Sequence, residues 1–251
     1  MQKVSQEDQI EIPAEYRYIA FVELLADSVL QHQHANNAKN SFTMNRFARA
    51  SILASALSVE CVANCLLMSL EAPTKLRREL DRLSPLSKIE VYLQIRTVSG
   101  FDRGNTKVAR IADLISARND FVHPKVTGIS ATMNLPQEAG EEWMFPFSLE
   151  GIHHVQLQIP KVSLFWSASN SLGVLKAISE FYKYLFFDIL KASEDEMHDM
   201  LTSRLQVGRV YIPAVYDEVR AILQSVKGEG VDFSYFGLSP STNRRNARRG
   251  D

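Results

Sequence analysis

The amino-acid sequence predicts a mainly α-helical protein carrying a small β insertion. Three observations predict it. Residues 43–71 run without glycine or proline, three further segments carry apolar stripes at helical spacing, and residues 126–160 change to short β-forming runs. At 251 residues the chain can bury one sizeable core, or one core plus an appendage.

The first helix is expected over residues 13–35. Pro13 suits an early helical position, and Tyr18, Phe21, Val22, Leu25 and Val29 form its stripe. Asn36 to Asn40 make the turn. The second helix, residues 43–71, is stopped by Pro73 soon after its end and is rich in small residues, among them Ala48, Ala54, Ala56 and Ala63, which let neighbours approach closely. One of its faces reads Leu53, Ala56, Glu60, Ala63, Leu67. An unpaired carboxylate among those neighbours would be costly, so Glu60 calls for a partner.

Residues 74–96 predict a short helix and a second one over Ser87–Ile95, and residues 99–104 a loop. The next helix spans 105–123, with Val108, Ile111, Ile115 and Val122 on its stripe. Arg118 falls on that stripe, where a long cation is either snorkelling or paired. Pro124 disfavours helical geometry at His123 and ends the helix there. Residues 126–160 then predict a β-hairpin or three-stranded insertion. Helix resumes over 162–191, with Phe165, Leu172, Leu175, Ile178, Tyr182 and Phe186 as core candidates. The aromatic cluster Phe181, Tyr182, Tyr184, Phe186, Phe187 runs round more than one face, so part of it is a candidate dimer surface. Two further helices are expected over Glu194–Leu205 and Pro213–Val226. Residues 241–251, with Arg244, Arg245, Arg248 and Arg249, read as a disordered basic tail that is either a solvated end or a contact for RNA backbone.

Composition excludes several classes. The chain is 45% hydrophobic and 23% charged, as soluble globular proteins are, and its net charge of -1 gives no global basic field. Met1–Ile12 lacks the basic start and apolar stretch of a signal peptide, and the longest apolar run is interrupted by Glu60. No membrane span and a cytoplasmic location are therefore expected. Cys61 and Cys65 share a helix face and read as small core residues rather than a disulfide framework. His32 and His34 point about 200° apart on a helix, and His153 and His154 face opposite sides of a strand, so neither pair makes a metal site. No metal or cofactor is expected. No phosphate-cradling glycine loop and no nucleophile elbow is present.

The densest chemistry lies in RNDFVHP, residues 118–124, at the expected helix end. Arginine grips phosphate through a forked set of donors, and histidine can take and give a proton near neutrality. Arg118 with Glu60 is equally consistent with an ion pair locking two helices, and His123 with a helix-end residue satisfying carbonyls.

The order of these features resembles the HEPN superfamily of helical domains, many of them ribonucleases. The resemblance rests on Arg118 and Asn119 followed by His123 with four residues between arginine and histidine, and on SALSVECVANCLL with Glu60 upstream. It covers roughly residues 15–190. The 126–160 insertion departs from the short connection of many members. The resemblance implies one antiparallel up-and-down bundle over 1–251 that forms a homodimer, bringing two motifs to a shared cleft. It also implies metal-independent cleavage of RNA, of the kind found in toxin–antitoxin and phage-defence systems, with an antitoxin protein as a further partner. In that chemistry Arg118 binds the scissile phosphate, His123 moves a proton, Asn119 orients the imidazole or a phosphate oxygen, and Glu60 directs Arg118. A non-catalytic HEPN-like dimeric module binding a nucleotide, RNA or protein partner is the alternative. On a helix Arg118 and His123 lie roughly 140° apart, so their convergence needs unwinding before Pro124 or a second subunit.

Overall fold

In the computed structural model, residues 12–97, 102–126, 132–133, 147–148, 153–208 and 210–236 are described, those at 132–133 and 147–148 by backbone alone. Residues 241–251, and most of the 126–160 insertion, lie outside the described residues.

A central helix organises the rest. Helix α2, Ser41–Met68, starts at Asn40, whose side chain accepts a hydrogen bond from the Thr43 amide. It packs against α1 (Phe21–Asn36), α4 (Pro85–Arg96), α5 (Thr106–Val122) and α6 (Ala168–Lys183). Its small residues do what the sequence suggests. Ala48, Ser51, Ser55, Ala56 and Ala63 are buried, and the Ser51 hydroxyl crosses to the Ser28 carbonyl of α1 at 2.7 Å. Counting unbroken apolar runs underrates this helix. By length and composition it is apolar enough to cross a membrane, with a mean hydropathy of 1.7 over its best window, of which 61% is buried inside the protein. The short α3, Thr74–Leu80, links α2 to α4.

A three-stranded sheet forms at positions where the sequence predicts helix. Strand β1, Ala14–Arg17, occupies the first turns of the expected 13–35 helix, and α1 starts only at Phe21. Within 126–160, β2 (Thr132–Met133) and β3 (Phe147–Ser148) pair antiparallel. Helix α7 stops at Leu201, so the expected helix to Leu205 gives way to β4, Arg204–Val207. Strand β5, Val210–Pro213, precedes α8, Asp217–Ser225, where a helix from Pro213 was expected. The strands form an antiparallel sheet in the order β1-β4-β5, with Ala14 opposite Val207 and Val207 opposite Val210. Gly208, at φ 58°, takes the left-handed turn between β4 and β5 at no steric cost. The Ser203 side chain fastens the start of α1, accepting from the Ile19 amide at 2.8 Å and donating to the Ile19 carbonyl at 3.0 Å.

The expected 162–191 helix is three pieces: a 3-10 turn at Ser163–Phe165, α6, and a π-helical turn at Tyr184–Ile189. Ser167 and Asn170 cap α6 reciprocally. Of the aromatic cluster, Phe181, Tyr182 and Phe186 are buried. Tyr184 and Phe187 are half-buried, beside Lys107 and Tyr235 respectively.

The C-terminal segment closes the core. Phe236 meets Phe21 edge-on at 5.0 Å and Tyr182 at 5.8 Å, while the Tyr182 hydroxyl and Ser58 Oγ lie 2.6 Å apart. Asp232 ties this segment to α6 through Lys183 Nζ at 3.1 Å, and accepts from the Ser234 amide at 2.9 Å. Partial burial opposes its ionisation, but the Ser234 hydroxyl and amide and the Lys183 ammonium outweigh that and lower its pKa to about 2.

Two outcomes follow from this closure. Phe236→Ala leaves a cavity among the five aromatic rings that Phe236 meets and is expected to destabilise by about 3–5 kcal/mol, read by urea unfolding. The Asp232 carboxyl titrates below its ordinary value of 3.8, so its stabilisation is complete above that pH and lost as pH falls toward about 2. The gap in stability between wild type and Asp232→Asn, measured from pH 5 to pH 2, should therefore narrow with acid.

Candidate functional site

Three of the four residues singled out in the sequence come together. Glu60 faces α5 from the middle of α2, and Arg118 and Asn119 sit in the last turn and a half of α5. Arg118 Nη2 donates to Glu60 Oε2 at 3.2 Å, and Nη1 donates to Asn119 Oδ1 at 3.1 Å. The arginine side chain is 28% exposed and the glutamate 37%, so the pair sits at the edge of the core, not inside it. That is the partner Glu60 required.

These residues form one wall of a cavity of about 370 Å³ between α2, α5 and the α3–α4 turn. Its apolar lining is Ala56, Leu83, Pro85 and Ile115, and its polar lining adds Asp81, Arg82, Ser84 and Lys88. The start of α4 opens onto it. Ser84 caps that helix by accepting from the Ser87 amide, with Pro85 at the first position.

Lys88 was missed. It is 4% exposed, and its ammonium donates to Asn64 Oδ1 at 2.8 Å and Asp81 Oδ1 at 3.0 Å. The signal was available: Lys88 is one turn before Tyr92 and flanks Ile89 on the buried side of α4, a cation on an apolar stripe just as Arg118 is. Asp81 and Arg82 lie in the turn before the α4 cap and have no sequence pattern to betray them.

His123 is not in the cavity. Helix α5 stays regular through Val122, and His123 caps it at φ -118° and ψ 64°, its amide bound to the Asn119 carbonyl at 2.9 Å. Pro124 therefore ends the helix without unwinding its last turn, and His123 leaves on another side from Arg118. Its side chain is exposed and makes no hydrogen bond or ion pair with a described residue. Asn119, four residues earlier, turns its amide to Arg118 instead of the imidazole.

Near this helix end the chain folds back. Asp113 of α5 accepts from the Gln156 and Leu157 amides at 2.7 and 3.0 Å, and Trp166 stacks on Phe121 at 6.2 Å. His154 in this stretch is buried, and burial lowers its pKa. His153, its neighbour, is exposed.

His32, His34 and both cysteines sit in structural surroundings. His32 is buried between Ser171 Oγ at 2.8 Å and Glu229 Oε2 at 3.3 Å, and His34 packs on Phe47. A hydrogen bond from Cys65 lowers the pKa of the Cys61 thiol against the effect of burial, with help from the Ala20 and Phe21 amides, while Cys65 is raised. No group of three metal-ligating side chains occurs among the described residues.

Comparison of the chain with protein-family models, with curated proteins and with solved structures found no match.

Because the Glu60–Arg118 pair is partly solvated, its loss should cost little. Glu60→Gln is expected to lower stability by under about 1 kcal/mol in denaturant unfolding, leaving the variant folded for functional assay.

Proposed function

We propose that this chain is a metal-independent endoribonuclease of the HEPN type. The observation that carries the reading is Arg118, held at a cavity wall by Glu60 and Asn119, with a solvent-facing His123 at the end of the same helix. A guanidinium has five donors. Glu60 and Asn119 take one each, and the rest are available to phosphate oxygens. In the reaction the RNA 2′-hydroxyl attacks the adjacent phosphorus, its proton passes to a base, and the 5′-oxygen leaves with a proton from an acid. Arg118 offsets the charge that grows on the non-bridging oxygens. His123 carries one of the two protons. Glu60 is a positioning residue, since it acts through Arg118.

One copy of the chain sets Arg118 and His123 on different sides of α5. A homodimer in which each site takes His123 from the other copy supplies the missing geometry. An unrestrained nuclease harms its host, so the reading includes a toxin-like role in toxin–antitoxin or phage defence, an inhibitory protein partner and a cytoplasmic setting. A second reading, a non-catalytic HEPN-like module that binds a nucleotide, RNA or protein partner, is favoured by the separation of His123 from the cavity.

The test is cleavage of a labelled RNA pool in EDTA. Wild type should leave 2′,3′-cyclic phosphate ends, and Arg118→Ala and His123→Ala should each lose about 100-fold or more in rate. Mixing the two inactive variants should restore part of the activity if the sites are shared between copies. A folded wild-type protein that cuts nothing would transfer the assignment to the binding module.

A further inference from the structure

The cavity beside Arg118 holds more positive charge than the reaction above uses. Lys88 is the least expected of it. An ammonium that is 4% exposed is expensive to bury unless all its protons find acceptors. It has three N–H donors. Asn64 and Asp81 take two, and no described residue takes the third. Lys88 also lines the cavity. Arg82 stands exposed at the rim, and its guanidinium makes no ion pair with a described residue. The Asp81 carboxylate that offsets Lys88 is 70% exposed, and water screens its hold on the ammonium.

We propose that this cavity is a nucleotide-binding pocket in which Lys88 and Arg82 hold phosphate beside Arg118. The rest of the lining suits the rest of a nucleotide. Ile115, Leu83 and Pro85 offer an apolar surface to a base, and the Glu60 carboxylate accepts from a ribose hydroxyl or an exocyclic amine. A volume of about 370 Å³ lies within the range of small-ligand pockets. The pocket shares Arg118 with the nuclease reading and rests on its phosphate-binding role. It adds Lys88 and Arg82 as ligand-binding residues.

The experiment is equilibrium binding of a fluorescent 2′-O-methyl oligoribonucleotide, which lacks the attacking hydroxyl and cannot be cut, with adenosine monophosphate as a parallel probe. Binding of either probe that depends on Lys88 supports the pocket, and the probe that binds separates an RNA chain from a free nucleotide. Lys88→Met should weaken binding about tenfold or more and, for the oligonucleotide, reduce the salt slope by about 0.7. Asp81→Asn breaks the same ion pair but leaves the ammonium, so it should bind as tightly as wild type or more tightly. Arg82→Ala, at an exposed rim position, should weaken binding several-fold without disturbing the fold.

Equal losses in Lys88→Met and Asp81→Asn would make Lys88 a structural residue and overturn the proposal. Wild-type affinity in a folded Lys88→Met would do the same, as would failure of both probes to bind. If Lys88→Met does not fold, unchanged binding in Arg82→Ala overturns it. Failure of the nuclease reading looks different: RNA left intact by a protein that binds the uncleavable probe through Lys88 removes the nuclease and keeps the pocket. Cleavage unaffected by Lys88→Met removes the pocket and keeps the nuclease.

Discussion

Close packing around α2 is the constraint on which the rest of this structure depends. The most apolar stretch of the helix is 61% buried, and Ala48, Ser51, Ser55, Ala56 and Ala63 keep its surface low enough for α1, α4 and α6 to approach. Low side chains leave little volume to fill, so the bulk comes from the partners: Phe21 and Leu25 from α1, Ile89 and Leu93 from α4, Phe181 and Tyr182 from α6. The serines could have been a cost in such a core. Most are satisfied by local carbonyls or by a neighbouring helix, as Ser51 is by Ser28 and Ser58 by Ser55 and Tyr182, whereas Ser55 Oγ has no partner among the described residues.

The cavity exists because this packing stops at one corner. Glu60 lies where α2 emerges from under α5, and the turn from α3 to α4 leaves a gap above it. The corner collects Arg82, Lys88 and Arg118 against Glu60 and Asp81, an excess of one positive charge in a partly dry place. Attraction between such groups is stronger than at an open surface, and so is the cost of leaving any of them unsatisfied. Arg118 and Lys88 each hold a carboxylate and an amide oxygen, and each keeps donors in reserve. Two cations built on the same plan, on two different helices, face one cavity.

The helical part of the fold was legible because helices announce themselves locally. α2 and α5 agree with their expected bounds to within three residues at either end, and the caps at Asn40 and Asn105 are short-range events. The sheet was not legible. Ala14–Arg17 follows a proline and precedes a strong apolar stripe, which reads as the start of a helix. It is a strand because Arg204–Val207, far along the chain, offers it a ladder. Leu205 ends one expected helix and Pro213 begins another, and the pairing of β4 with β5 overrides both.

By itself the sequence determined the mainly helical class, the small-residue central helix, the need of Glu60 for a partner and the end of α5 at His123. Each follows from propensity, spacing or the cost of an unpaired charge, which act over a few residues or concern one side chain alone. Only the tertiary structure decided that the partner of Glu60 is Arg118 and that Lys88, Asp81 and Arg82 join them around a cavity. It alone decided that His123 stands outside that cavity. Those outcomes depend on the angle at which α4 and α5 cross α2 and on how many turns α5 completes before Pro124. Both are set by packing between segments distant in sequence, which no local pattern encodes.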